Sequence, residues 1–145
     1  MTKSVRDAMT ANPLSISPAS SVVEAARLMR DRHVGSLPVV EDERLVGLIT
    51  DRDIAVRVVA ESAEPQSITV GDVASHDAVT AAPEQDLDEA LRLMAHHQVR
   101  RLPVTEGDRL VGILAQADMA HEEDRQKVGE MVEVISDPSD AERRI

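Results

Sequence analysis

The amino-acid sequence predicts an α+β fold made of two similar β-α-β-β-α units. Two observations lead to this prediction. The sequence repeats itself without a gap, Val5–Ala55 aligning with Val70–Ala120 at a shift of 65 residues. Each copy also changes from a helical to an extended pattern of apolar residues at the same point. Two copies are too few for a solenoid, so the duplication predicts a pseudo-two-fold pair with small sheets packed with helices.

Each copy opens with a short alternation of apolar and polar residues, "LSIS" (14–17) or "AVTA" (78–81), that predicts a brief strand. A helix follows, and Ser21 and Asp86 precede the two helices as candidate N-caps, each with a glutamate three positions later. Apolar residues then recur at helical spacing and predict one buried stripe per copy. The stripes are Val22, Ala25, Ala26 and Met29 in the first copy, and Leu87, Ala90, Leu91 and Met94 in the second.

Two apolar runs separated by four polar residues follow, "LPVV-EDER-LVGLI" and "LPVT-EGDR-LVGIL". They predict an antiparallel hairpin in each copy. Pro38 and Pro103 carry no amide hydrogen, so we expect them at a strand start or at a sheet edge. A second helix is predicted from about Asp51 to Glu61, and from about Gln116 into the 120s.

The predicted domains are residues 1–62 for the first motif, 63–69 for a linker, 70–128 for the second motif, and 129–145 for a helical extension with a frayed tail. A copy of about 60 residues is too short to bury its helical stripe and its sheet face alone. Pairing of the two halves should therefore complete the core.

The composition narrows the classes of partner. The formal net charge is −11 and the pI is about 4.8, so nucleic acid and membrane surfaces are poor partners. The chain has no cysteine and no aromatic residue, which leaves aliphatic side chains and backbone to hold any ring-shaped ligand. No apolar stretch approaches the roughly 20 residues of a spanning helix, and the N-terminus does not resemble a secretory signal. These features predict a cytoplasmic protein.

Candidate catalytic and metal-binding residues are lacking. His96 and His97 are neighbours on a predicted helix, where side chains point about 100° apart and do not readily share an ion. His33, His76 and His121 are scattered along the chain. The phosphate-binding and nucleophile motifs that glycine-rich loops provide do not occur. We predict a non-enzymatic protein without a metal site or cofactor.

One motif has a functional interpretation. The first copy closes with "GLITDRD" (47–53), while its counterpart "GILAQAD" (112–118) keeps the aspartate and has Ala115 in place of Thr50. Together with "VGSLPV", "VRRLPV" and the two "RLVG" stretches, these residues resemble a tandem pair of CBS domains, the Bateman module named after cystathionine β-synthase. The resemblance covers about residues 3–122 and is closest to the small stand-alone bacterial members.

The resemblance implies a regulatory module that binds an adenine nucleotide (AMP, ADP or ATP) in a cleft between the motifs, forms a homodimer and signals to an effector protein. In this family a G-h-x-[S/T]-x-x-D pattern holds the ribose, and Gly47, Thr50 and Asp53 match it. Basic residues before the second strand reach the phosphates, and Arg100 and Arg101 match them. The implied site is Thr50, Asp53, Val79, Val99, Arg100 and Arg101. A second, weaker site is Leu14, Val34, Gly35, Ser36 and Asp118.

Each of these residues also has an ordinary structural explanation. Thr50 and Asp53 have the spacing of an N-cap and its third helical residue. Arg100 and Arg101 have surface charge or salt bridges on an acidic chain as their alternative explanation. The alternative function is accordingly a CBS-pair dimer that acts as a protein-interaction scaffold without nucleotide. A small hydrolase is a weaker alternative, because no nucleophile–base pair can be named.

Overall fold

The computed structural model describes residues 3–119, the last two by their backbone alone. These residues form two compact units. Unit I is Leu14–Ala78, and unit II combines residues 3–13 with residues 79–119. The fold is the α+β fold that the sequence predicts.

The elements, in chain order, are α1 (Val5–Ala8), β1 (Thr10–Ala11), α2 (Val22–Arg32), β2 (Ser36–Glu41), β3 (Arg44–Thr50), α3 (Asp51–Ile54), α4 (Val70–Val73), α5 (Leu87–His97), β4 (Arg101–Glu106), β5 (Arg109–Ala115) and α6 (Gln116–Met119). A π-helical turn, Ala55–Val59, continues α3, and a 3-10 turn, Pro65–Ser67, precedes α4. β2 pairs antiparallel with β3 in unit I, and β5 pairs antiparallel with β4 and β1 in unit II.

The two long helices begin at the predicted caps. The Ser21 hydroxyl accepts a hydrogen bond from the Glu24 amide at 3.1 Å. The Asp86 carboxylate accepts one from the Asp88 amide, also at 3.1 Å. Each cap satisfies a backbone donor that the first helical turn leaves without a partner.

The predicted apolar stripe is complete in α5 and narrower in α2. All four predicted residues of α5 are buried, whereas in α2 Ala26 is exposed and the other three are buried. The prediction that Ala26 belongs to the buried stripe is therefore wrong. Leu28 packs against the core of unit I instead, because the buried face of α2 is turned towards that residue and away from Ala26.

The hairpin turns are shorter than predicted. Glu41 pairs with Arg44, so the turn consists of Asp42 and Glu43 alone, with φ of 52° and 68°. The second hairpin also has a two-residue turn, in which Gly107 has φ of 64°. Two-residue turns with positive φ match the twist of the strands that they connect. The polar residues on either side of the turns belong to the strands.

Pro38 and Pro103 lie inside their strands, not at strand starts. The Pro38 carbonyl accepts from the Ile16 amide at 3.0 Å, and the Pro103 carbonyl accepts from the Ala81 amide at 3.0 Å. Both carbonyls thus face away from the hairpin partner strand. The proline nitrogen faces the same side, so the hairpin loses no ladder hydrogen bond. Each of the predicted brief strands, at 14–17 and 78–81, forms a single parallel bridge, Ile16 with Val39 and Ala81 with Val104.

The second helix of the first copy spans α3 and the π-helical turn and ends at Val59, two residues short of the predicted end. The predicted linker contains the 3-10 turn. In the second copy the helix is described only as far as Met119. Its predicted continuation and the predicted extension at 129–145 lie outside the described residues.

Each compact unit contains a segment from the other sequence copy. In unit II, the Val5 amide donates to the Gln85 carbonyl at 2.9 Å, which attaches the first residues of the chain to the start of α5. In unit I, the Val70 amide donates to the Ser20 carbonyl at 2.7 Å, which attaches α4 to the start of α2. The structural units are therefore composed differently from the two sequence motifs.

The exchanged segments complete the two hydrophobic cores. Val5 and Ala8 belong to the buried cluster of unit II, and Val70, Val73 and Ala74 belong to that of unit I. The expectation that one copy alone does not close its core is met in this way. Each core is closed by a helix of the other copy, and the buried residues form one cluster in each unit.

The exchange predicts that the short N-terminal helix is important for stability. Val5 is fully buried, so Val5→Ala should lower the free energy of unfolding by about 2 kcal/mol. Val59→Ala makes the same chemical change at a side chain that is 66% exposed and should have little effect. Chemical denaturation followed by circular dichroism measures both. Equal effects of the two substitutions would contradict the exchange.

Candidate functional site

Thr50 and Asp53 form a reciprocal capping box at the junction of β3 and α3. The Thr50 hydroxyl oxygen accepts from the Asp53 amide, and Asp53 Oδ2 accepts from the Thr50 amide, both at 3.0 Å. Both residues are half-buried. The box uses one carboxylate oxygen of Asp53 and leaves Oδ1 able to accept. The Thr50 hydroxyl hydrogen likewise remains able to donate.

The motif glycines are required by a close backbone approach. A Cβ atom at Gly47 would lie 2.6 Å from the carbonyl oxygen of Ser75, which is far inside contact distance. Ser75 pairs with Leu48 through two hydrogen bonds of 2.9 Å. In unit II, a Cβ atom at Gly112 would lie 3.0 Å from the Thr10 carbonyl oxygen and 2.6 Å from Met9 Sδ. The exchanged segments thus lie directly against the strands that lead into the two motif helices.

Unit II holds the other residues of the predicted main site. Val79 and Val99 are half-buried and pack against the core of the unit. Arg100 is half-buried, and its carbonyl accepts from the Gln116 amide at 2.9 Å. Arg101 is exposed and opens β4 opposite Ala115. The two arginines therefore lie at the end of the hairpin where α6 begins.

The predicted second site is likewise divided. Leu14 and Val34 pack half-buried against the core of unit I. Gly35 is exposed, and Ser36 opens β2 opposite Thr50. Asp118 lies in α6 of unit II, and its side chain is outside the described atoms.

The structure brings together residues that the sequence assigned to different sites. Within unit I, Ser36 pairs with Thr50, and the Asp51 amide donates to the Gly35 carbonyl at 2.9 Å. Each predicted site draws on both units, and that combination stays a prediction. Neither Asp51 nor its counterpart Gln116 belongs to a predicted site. The self-alignment could have indicated these two positions, because it sets the carboxylate of Asp51 over the neutral amide of Gln116.

The histidines do not form a metal site with other ligands in the described part of the chain. His96 and His97 are exposed, with ring centroids 4.9 Å apart and ring planes at 90°. Among residues 3–119, no three His, Cys, Asp or Glu side chains are grouped so as to hold a metal ion. Over the same range, no helix has both the length and the apolar character needed to cross a membrane.

A protein-family model shows to which family the chain belongs. The model of the CBS domain matches twice, at residues 5–60 and 70–124. The chain belongs to the CBS domain family. The two matches fall on the two copies of the internal duplication, and the predicted tandem pair is confirmed.

Two curated relatives match this chain over most of their length. The chain is 44% identical over 117 residues to the CBS domain-containing protein YhcV of Bacillus subtilis, covering 81% of this chain and 83% of that protein. It is 34% identical over 134 residues to hypoxic response protein 1 of Mycobacterium tuberculosis, covering 92% of this chain and 94% of that protein. The similarity thus covers more than four fifths of each relative.

Solved structures of CBS proteins have the same fold. A crystal structure of hypoxic response protein I, with two coordinated zinc ions, has a TM-score of 0.74 and 36% identity and covers 81% of this chain and 97% of that chain. CBSX2 in complex with AMP has a TM-score of 0.69 and 28% identity, with 81% of this chain and 93% of that chain covered. The zinc ions belong to the first of these proteins and the AMP to the second.

The capping box should contribute to stability in the absence of any ligand. Thr50→Ala and Asp53→Ala each remove one of the two reciprocal bonds, and each should cost about 1 kcal/mol of unfolding free energy. Thr50→Ser keeps the accepting hydroxyl and should cost less than half as much. Thermal unfolding of nucleotide-free protein measures the three variants. A Thr50→Ala variant as stable as the parent would show that the box is not stabilising.

Proposed function

We propose that this CBS pair is a regulatory, non-enzymatic module that binds an adenine nucleotide, AMP, ADP or ATP. Asp53 and Thr50 hold the ribose, and Arg100 and Arg101 hold the phosphate. The observation that carries the proposal is the Thr50–Asp53 pair, fixed at a strand end with a carboxylate oxygen and a hydroxyl hydrogen still able to bond. The AMP complex of CBSX2, a relative of the same fold, supports the ligand class.

The ribose is recognised by charge-assisted hydrogen bonding. A carboxylate accepts from neighbouring 2′- and 3′-hydroxyls, and each such bond contributes roughly 1.5–3 kcal/mol. The capping box holds the Asp53 side chain in one position before ligand arrives, because Oδ2 is bonded to the Thr50 amide. A preorganised carboxylate loses less conformational freedom on binding.

The base and the phosphate are held by residues of unit II. The chain has no aromatic ring to stack on the base, so the half-buried Val79 and Val99 provide aliphatic contact. Two neighbouring guanidiniums offset the overall negative charge locally and can clamp phosphate oxygens in bidentate fashion. The second site has no arginines at the equivalent positions, Gly35 and Ser36, and no hydroxyl at Ala115.

Signalling requires a partner. We propose that a homodimer of this chain presents different surfaces with and without nucleotide to a cytoplasmic effector protein. Thermodynamic linkage requires that the effector prefer one ligand state, by the same factor by which it changes nucleotide affinity.

The scaffold function is the second candidate. The observation in its favour is that capping alone accounts for both Thr50 and Asp53. Isothermal titration with AMP, ADP, ATP and S-adenosylmethionine separates the two candidates, because a scaffold without a ligand site gives no binding heat with any of them.

The two motif aspartates should differ in their effect on nucleotide binding. Asp53→Ala should abolish AMP binding at the main site, whereas Asp118→Ala makes the same change at the equivalent position and should leave this binding within twofold. Isothermal titration of the two folded variants measures the difference. Equal losses would contradict the assignment of one strong and one weak site.

Arg100 and Arg101 should strengthen the binding of AMP, which carries a charged phosphate, but not the binding of uncharged adenosine. Arg100→Gln with Arg101→Gln should weaken AMP binding more than tenfold, because charge-assisted hydrogen bonds are lost, and should change adenosine binding by less than twofold. Arg44→Gln with Arg109→Gln removes the same charge at the turn ends of the two hairpins and serves as the control. Equal weakening of AMP binding by both pairs would show that only the net charge of the protein matters.

A further inference from the structure

Two corners of the structure share one backbone arrangement and differ in charge. We call them the Gly35 corner (Gly35 and Asp51, unit I) and the Arg100 corner (Arg100 and Gln116, unit II). The residue at the start of α3 or α6 donates its amide to the carbonyl of the residue before the hairpin, at 2.9 Å in both corners. The self-alignment sets Gly35 over Arg100 and Asp51 over Gln116.

In the Gly35 corner, a carboxylate occupies the space next to the missing side chain. A Cβ atom built on Gly35 would lie 3.0 Å from Asp51 Oδ2 and 3.6 Å from Oδ1. Asp51 Oδ1 also accepts from the Arg52 amide at 2.8 Å, which holds the carboxylate in this position. Any ligand group that approaches Gly35 therefore meets a fixed negative charge.

The Arg100 corner has the opposite character. Its helix starts with a neutral amide, and Gln116 Oε1 is buried without a hydrogen-bond partner in the described part of the chain. Arg100 and the adjacent Arg101 provide the charge. At the paired positions, the Gly35 corner thus has a carboxylate and no cationic side chain, and the Arg100 corner has a guanidinium and a neutral amide.

We propose that Asp51 excludes phosphate from the Gly35 corner, so that the second site takes a nucleoside without phosphate while the Arg100 corner takes a nucleotide. This inference deepens the proposed function and rests on it. A nucleotide phosphate carries up to two negative charges at neutral pH, and one like charge within a few ångströms disfavours binding about tenfold, even at the dielectric constant of water. The missing hydroxyl at Ala115 weakens ribose binding for every ligand, whereas Asp51 distinguishes ligands by charge.

The test compares AMP with adenosine on the full chain by isothermal titration. The parent protein should bind one AMP and two adenosine molecules per chain. Asp51→Asn keeps the shape of the side chain and the Thr50–Asp53 box, and should tighten AMP at the second site about tenfold, so that a second equivalent is seen. Adenosine binding should change by less than twofold.

Asp42→Asn is the matched control. It removes the same charge at the turn end of the β2–β3 hairpin, away from the Gly35 end. Asparagine tolerates the positive φ of 52° at this position. AMP binding to this variant should stay at one equivalent per chain.

Gln116→Glu makes the reciprocal change in the Arg100 corner. It should weaken AMP at the main site about tenfold and leave adenosine within twofold, because it adds one negative charge without changing the side-chain shape.

The outcomes separate this inference from the proposed function. Binding of two AMP equivalents by the parent protein would overturn the role of Asp51. Binding of a single AMP equivalent by Asp51→Asn, in a protein that binds two equivalents of adenosine, would also overturn it. A second AMP equivalent in the Asp42→Asn control would also overturn it, because net charge alone would then explain the effect. If neither AMP nor adenosine binds the parent protein, the proposed function itself fails.

Discussion

The exchange of short helices between the two sequence copies is the constraint on which the rest of the structure depends. Each core is closed by a segment that belongs to the other copy, α1 in unit II and α4 in unit I. Each unit therefore requires residues from both copies. A chain with one copy alone would leave the buried face of α2 or α5 without its covering helix.

The same exchange also determines the packing of β3 and β5, the strands that contain Gly47 and Gly112. The residues that follow α1 and α4 lie against Gly112 and Gly47, where no side chain fits. The glycine of the motif is thus explained by packing, and the threonine and aspartate that follow it are positioned by the strand end. In unit I, the capping box then holds Asp53 in a single orientation. The bonds that cap α3 thus also hold in place the carboxylate that we propose binds the ribose.

Much of this architecture is readable from local sequence, since caps, stripes and turns depend on neighbouring residues. The predicted turns are too long because Glu41 and Arg44 are polar, and polar residues at the ends of strands resemble turn residues in a sequence. The exchange was not foreseen, since the destination of Val5 depends on tertiary packing. The N-cap spacing of Thr50 and Asp53 predicts the capping box that the structure has, and their role in ribose binding stays a prediction. The position of Asp51 beside Gly35 depends on a close approach that only the coordinates reveal.

The proposed function requires that one nucleotide bind both Thr50 and Asp53 of unit I and the arginines of unit II. An AMP titration of the isotope-labelled 15.8 kDa chain, followed through amide resonances in NMR spectra, measures this joint binding. Resonances of residues 50–53 and 99–101 should shift with one shared dissociation constant, while those of the turns at 42–43 and 107–108 should stay in place. Shifts confined to one of the two segments, or separate dissociation constants for them, would contradict it.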